Sequence, residues 1–366
     1  MPDVLIFGDT RSPSLRHEIP LPLPDPLAYV ERNGSRHVFA GSLDVSRLRD
    51  LGGLEVIALE ELGLNEFLAQ GKSLAAAIQE AVWRGCERVG VRDAVTPRDF
   101  PLEVADFLRS QGMTLHADGE LFDDRRRART ADQVEGIKRG LRAAEAAMIA
   151  IWDRIREADG VTADELRALA HRVFADRAAL PHDLLVVSCG AQSARIHDEG
   201  EGPMEPHQPI LIDIFPRDLA SGCWGDLTRT VCLGEPPERL RRYHADVREA
   251  QRRATEAVRP GISGGEPNRI AAQYLADQGH PTRLDAPADQ MLEEGFVHYL
   301  GHGLGLELHE APTLDEGGET LVVGDVVTIE PGLYFEDFGG VRIEDVVLVT
   351  EDGHENLTRC SYDLQL

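Results

Sequence analysis

Residues 296 to 310 read F-V-H-Y-L-G-H-G-L-G-L-E-L-H-E, packing His298, His302 and His309 into one short stretch interleaved with Gly301, Gly303 and Gly305. Glycine has no Cβ and accepts positive φ, so such a backbone can approach an ion or a substrate more closely than a regular helix or strand can. Any one of these imidazoles could simply cap or pad a turn. Three together read as a site. His298 and His302 are four residues apart and would share a face on a helical turn, but no Glu follows His298 as the helical H-E-x-x-H zinc pattern requires. Further ligands must come from elsewhere in the chain.

Four carboxylates are the candidates. Asp213 lies in P-I-L-I-D-I-F, apolar on both sides, where a lone ionised carboxylate costs several kcal/mol unless it is paired or bound to a metal. Asp226 lies in G-D-L-T-R-T-V, where an ion pair with Arg229 is the competing structural reading. Glu330 follows V-V-T-I and precedes Pro331 and Gly332, which puts a carboxylate at the end of a buried strand. In V-R-I-E-D-V-V-L-V, strand alternation sets Arg342 and Glu344 on one face, so an internal Arg342–Glu344 pair competes with a ligand role. Two Asp, two Glu and at least one His form a set rich in hard oxygen, enough for two divalent ions about 3.5 Å apart. Mn²⁺, Co²⁺ or a catalytic Zn²⁺ pair suits it; thiolate zinc-finger chemistry does not.

Composition bounds the rest. At 366 residues the chain has room for about two domains. No apolar run approaches the ~18 residues that span a bilayer, and the first residues lack the basic region of a signal peptide. Five scattered cysteines without C-x-x-C point away from a disulfide framework and toward a reducing cytoplasm. A net charge of −26 counts against nucleic-acid and membrane partners.

Taken in order, 3 to 8, 36 to 41, 55 to 59 and 88 to 91 read as strands, with a Pro-rich connection after the first, and 64 to 84 and 101 to 111 as helices. This is an α/β pattern. It stops at the charged stretch 118 to 130, read as the domain junction, in which Arg125 to Arg127 form a solvated linker or an interdomain salt-bridge cluster. Capping boxes at Thr130/Gln133 and Thr162/Glu165 start helices to about 158 and 178. A strand at D-L-L-V-V-S, helices at 237 to 258 and 266 to 279, and strands at 209 to 215, 226 to 233, 321 to 330 and 341 to 350 complete a mixed second domain.

In this order I-L-I-D-I-F, G-D-L-T-R-T, G-H-G-L-G-L-E-L-H-E, T-I-E-P-G-L-Y and V-R-I-E-D resemble the signature blocks of the pita-bread metallopeptidases, which include methionine aminopeptidase, aminopeptidase P, prolidase and the related creatinase. The resemblance implies an α+β pita-bread catalytic domain at 124–366 after an α/β creatinase-N-like domain at 1–123. It further implies metal ligands Asp213, Asp226, His302, Glu330 and Glu344 for two divalent ions, Mn²⁺ first, with Asp226 and Glu344 bridging them. His197, His298 and His309 would line the substrate pocket, with Arg342 as partner of the carboxylates.

The substrate class implied is a peptide with proline second, cleaved by a prolidase-like or aminopeptidase P-like homodimer. Glu330 would relay the proton of the attacking water, and His298 and His309 would donate to the carbonyl oxygen. A non-catalytic peptide-binding protein on the same fold is the rival reading. Two departures stand out. The interval from Asp213 to Asp226 is two residues longer than in the family, placing Asp218 in the connecting loop, and Thr313 stands where some prolidases carry an arginine that grips the free carboxylate of a dipeptide.

Overall fold

The computed structural model describes residues 2–284 and 292–366. The chain divides into two compact units, Met1–Arg126 and Arg127–Leu366.

The first unit is built on six strands, β1 (Val4–Gly8), β2 (Leu27–Arg32), β3 (Ser35–Ala40), β4 (Glu55–Ala58), β5 (Asp93–Thr96) and β6 (Thr114–Ala117), in the order β4-β3-β2-β1-β5-β6. β1, β2 and β3 pair antiparallel, and the outer strands join in parallel. Helices α1 (Pro13–Glu18), α2 (Val45–Asp50), α3 (Leu64–Ala69), α4 (Leu74–Val89) and α5 (Leu102–Ser110) accompany them, and α6 (Gly119–Arg127) closes the unit.

The expected α/β alternation is present, with four corrections. The helix expected over 64 to 84 is two, because Gly71 (φ +84°) ends the first turn set and Ser73 caps the second through Ala76 N. Residues 88 and 89 finish α4 instead of starting a strand, since Gly90 (φ +80°) is its left-handed cap. β2 follows directly on the prolines that were read as connection only. The stretch 118 to 130 contains α6, and of the two readings of Arg125 to Arg127 it is the ion-paired one that is found, not the solvated linker. Arg125 pairs with Glu18 and Glu31 and Arg126 bonds Ser14 Oγ and Asp123 within the first unit; Arg127, the first residue of the second unit, pairs inside that unit with the wholly buried Asp325 at 2.7 Å.

In the second unit both capping boxes form as read, starting α7 (Ala131–Glu157) and α8 (Ala163–Asp176). There follow β7 (Ala179–Leu180), β8 (Val186–Cys189), β9 (Ile210–Ile214), β10 (Arg217–Asp218), β11 (Leu227–Val231), α9 (Glu238–Ala257) and α10 (Gly265–Asp277). The unit ends in β12 (Gly301–Gly303), β13 (Glu310–Leu314), β14 (Val326–Ile329), β15 (Gly332–Phe335), β16 (Gly339–Arg342), β17 (Asp345–Thr350) and β18 (Gly353–Asn356).

Two sheets carry the unit, β11-β9-β8 and β13-β12-β14-β17-β18. Each buries an apolar face against a helix pair. Met148, Ile151 and Phe174 of α7 and α8 pack with Ile210, Ile212, Ile214 and Val231; Leu240, Val247 and Leu275 of α9 and α10 pack with Val327, Ile329 and Val347. Where α7 crosses the first sheet there is no room for side chains: a Cβ on Gly140 would lie 2.6 Å from the nitrogen of Gly225, the residue before Asp226.

Candidate active site

Asp213 sits on β9 opposite Thr228 of β11 in an antiparallel pair, with Asp226 two residues before Thr228 and so on the same face. His302 is on β12, which is a strand and not the helical turn its four-residue spacing allowed. The glycines around it serve in an unforeseen way. None of Gly301, Gly303 and Gly305 has positive φ; a Cβ on Gly301 would meet Thr328 O at 2.1 Å, and one on Gly303 would meet Ala311 O at 2.4 Å. They let three strands crowd together around His302. Glu330 follows β14, and Glu344 lies between β16 and β17, where the expected single strand 341 to 350 breaks to turn the carboxylate inward.

These residues converge on a cavity of about 300 Å³ lined by Asp213, Asp226, His302, Glu330, Arg342 and Glu344 at its base. His302 Nε2 is 3.2 Å from Glu330 Oε1 and 3.9 Å from Asp226 Oδ2. Its Nδ1 is 3.1 Å from Gly303 O and, since a carbonyl only accepts, donates to it; burial lowers the His302 pKa but Glu330 and Asp226 raise it overall, so Nε2 is the nitrogen whose proton a bound cation would replace. Asp226, His302 and Glu344, all buried, each offer a ligand atom within 4.8 Å of the others. Burial and the neighbouring Asp213 hold Asp226 well above the usual carboxylate range, and burial and Asp226 do the same to Glu344. Glu330 moves the other way: burial raises it, but His302, His298 and Arg342 together bring it down to about 2. Four desolvated carboxylates facing one guanidinium are short of positive charge, and this donor set fits divalent cations.

Both competing structural pairs are absent. Arg229 bonds Asp345 and main-chain carbonyls, and Asp226 has only the site for company. Arg342 bonds Asp213 Oδ2 at 2.5 Å through Nη2, Tyr334 Oη at 2.9 Å through Nη1 and Thr228 Oγ1 at 3.3 Å through Nε. Asp218, the loop residue, is held by Arg139 and Ser221 and takes no part.

The histidines divide. His309 stacks edge-on to His302, ring centres 4.1 Å apart, and His197 is exposed at the rim; both line the cavity. His298 does not appear in the lining. Its Nδ1 is 2.7 Å from Tyr299 O and its Nε2 is 3.0 Å from Tyr334 Oη, so both ring nitrogens have partners here, whereas the resemblance implied a pocket-lining role. His182, which the sequence reading passed over, lines the cavity with Leu184, Ile196, Phe215 and Leu308. A lone His between Pro181 and Asp183 carries no pattern; only the packing of its ring on Phe215 and Trp224 brings it to the site. Thr313 N bonds Glu319, and its hydroxyl faces Asp315 and Glu319, so the surroundings of that position are acidic.

The pattern of metallopeptidase family M24 matches residues 135–351. The chain belongs to that family. An M24 relative, the Xaa-Pro dipeptidase of Pyrococcus furiosus, is 33% identical over 248 residues, covering 67% of this chain and 67% of the relative. The probable dipeptidase PepE of Mycobacterium tuberculosis is 38% identical over 156 residues, 42% of this chain and 38% of the relative. Among solved structures, the Xaa-Pro dipeptidase from Bacillus anthracis superposes with a TM-score of 0.82 at 23% identity, covering 100% of this chain and 95% of the other. The X-Pro aminopeptidase from Thermotoga maritima gives 0.82 at 21%, covering 99% and 97%. The fold is therefore the M24 pita-bread domain following an N-terminal α/β domain.

Proposed function

We propose that this M24 protein hydrolyses the Xaa-Pro bond of dipeptides or of the N-termini of short peptides, with Asp213, Asp226, His302, Glu330 and Glu344 holding two divalent metal ions, manganese in first place and cobalt or zinc as substitutes. The observation that carries this reading is the buried convergence of four carboxylates and Nε2 of His302 on one cavity with Arg342 beside them. When bound, the ions supply Lewis acidity and lower the pKa of a water molecule enough to make it nucleophilic near neutral pH. The chain's own residues do the rest. Glu330, ionised at neutral pH, accepts the proton of the attacking water and passes it to the proline nitrogen, which is tertiary in the substrate and needs a proton to leave.

His309, beside His302 at the open side of the cavity, donates to the carbonyl oxygen as charge develops there, and His197 orients the peptide from the rim. Leu184, Ile196, Phe215 and Leu308 form the apolar wall that receives the pyrrolidine ring. His298 has a positioning role, holding Tyr334, which in turn holds Arg342 against Asp213. A homodimer in the cytoplasm completes the reading. Five buried free cysteines suit a reducing compartment, and among the described residues no helix is long and apolar enough to cross a membrane.

One observation favours the aminopeptidase form of this activity over a strict dipeptidase. Among the described lining residues the only guanidinium is Arg342, each of whose nitrogens already has a partner, and Thr313 has acidic neighbours, so among those residues no unpaired guanidinium faces a dipeptide's terminal carboxylate. With manganese loaded, Ala-Pro and Ala-Pro-Ala are both expected to be cleaved, with kcat/KM within about tenfold, or ~1.4 kcal/mol, of each other. A dipeptide preference beyond about a hundredfold would overturn the length assignment. No cleavage of either by protein carrying two ions by elemental analysis would overturn the activity.

A further inference from the structure

Two threonines that bond residues lining the cavity, Thr228 and Thr328, are wholly buried, and their hydroxyls behave unlike that of Thr230. Thr230 Oγ1 bonds the main chain of Arg342, donating to its carbonyl at 3.1 Å and accepting from its N–H at 3.0 Å, as a buried strand threonine commonly does. Thr228 Oγ1 instead faces three charged side chains: Asp213 Oδ1 at 2.9 Å, Glu344 Oε2 at 2.8 Å and Arg342 Nε at 3.3 Å. Thr328 Oγ1 makes a similar bridge, accepting from His302 N at 3.0 Å and reaching Glu330 Oε1 at 3.2 Å. Four of the five proposed ligands thus touch a threonine hydroxyl, and of the two threonines Thr228 joins two carboxylates, one on β9 and one between β16 and β17.

We propose that Thr228 is a positioning residue that sets the spacing of Asp213 and Glu344 and thereby the affinity of the site for divalent ions; this rests on the metal reading above. A hydroxyl has one proton and two lone pairs. Arg342 Nε donates into one lone pair, and the proton serves one carboxylate at a time, so the oxygen acts as a spacer of fixed length between Asp213 Oδ1 and Glu344 Oε2. Glu344 Oε1 stays free of it. The main chain reinforces the position, because Glu344 N donates to Thr228 O at 3.1 Å, so hydroxyl and carboxylate are registered by the same residue. Valine has the shape of threonine without the hydroxyl; it would leave both carboxylates to separate by their own repulsion. Serine would keep the bridge.

The test is a binding titration, not an assay of turnover. Full-length protein stripped with chelator is titrated with Mn²⁺ by calorimetry and by equilibrium dialysis with elemental analysis, for wild type, Thr228→Val and Thr228→Ser. Thr228→Val is expected to bind Mn²⁺ about 10- to 100-fold more weakly, the usual cost of losing a partner that orients a ligand, and Thr228→Ser to stay within about threefold of wild type. A merely structural threonine would instead lower the unfolding midpoint of the metal-free protein and leave the affinity alone, so the metal-free midpoint is measured on the same samples. Unchanged affinity in Thr228→Val overturns the proposal for Thr228. Failure of the wild type to bind any divalent ion overturns the metal reading itself. Should Thr228→Val not fold, Thr228→Ala answers the same question without a second methyl to place.

Discussion

Asp226 and Glu344 are 3% and 2% exposed, and burial pushes both up in pKa, helped by the charge of Asp213 on Asp226 and of Asp226 on Glu344, so each depends on a cation to stay ionised. His309 has no such dependence; it stands beside the ligand set, and partial burial and His302 keep it neutral. The two kinds of residue should therefore fail differently. Asp226→Ala or Glu344→Ala is expected to lose bound manganese together with hydrolysis, whereas His309→Ala keeps its metal and loses about 10² or more in kcat, as when one transition-state donor is removed. Metal content and turnover measured on the same preparations decide it: a metal-free His309→Ala would make His309 a ligand, and a fully loaded, active Asp226→Ala would end the dinuclear reading. The candidate ligands were legible at this scale because each stands in a short motif whose surroundings are apolar. Their partners were not, since Arg229 is three residues from Asp226 in the chain yet its guanidinium turns to the opposite side of β11, to Asp345.

Among elements, β11 and the junction of β16 with β17 are tied by that same arginine. Arg229 is 1% exposed; its Nη1 bonds Thr228 O and Glu344 O, its Nη2 bonds Asp345 Oδ1 and Cys360 O, and its Nε bonds Ser361 O. Every donor is satisfied, which is what makes a buried guanidinium tolerable. Arg229→Met is expected to cost about 3 kcal/mol or more, because Asp345 and several carbonyls lose their partner, and adding Asp345→Asn should recover part of that loss by removing the uncompensated charge. Urea unfolding of the single and double variants tests this; a double variant no better than the single would mean the carbonyls, not Asp345, dominate. Helix starts at Thr130 and Thr162 could be read from the sequence because a capping box closes within four residues. The break between β16 and β17 could not, since V-R-I-E-D-V-V-L-V alternates without interruption and only the pull of Arg229 and Thr228 on Glu344 marks the turn.

For the molecule as a whole, acid should act through histidine before most carboxylates titrate. His244 of α9 is 6% exposed, and burial, with Arg248 and Arg229 nearby, pushes it from 6.5 down to about 4 against the opposing pull of Asp363. Between those values the unfolded chain binds a proton that the folded one refuses, so stability is full above about pH 6.5 and falls by about 1.4 kcal/mol per pH unit toward pH 4 on this account. His244→Gln should flatten the pH dependence of the unfolding free energy between pH 6.5 and 5; a parallel curve would show that His244 does not set it. What the sequence determined by itself is whatever short range encodes: the capping boxes, the strand runs, the ligand motifs in their order and, through them, the family. What only the tertiary structure decided is everything that depends on which side chains meet across the fold. It brought His182 to the cavity, engaged both nitrogens of His298, turned Arg229 away from Asp226 and set Thr228 between Asp213 and Glu344. The physical reason is that a buried polar group must find its partner wherever packing places one, and packing joins residues more than a hundred positions apart, as in the bond from Thr228 to Glu344.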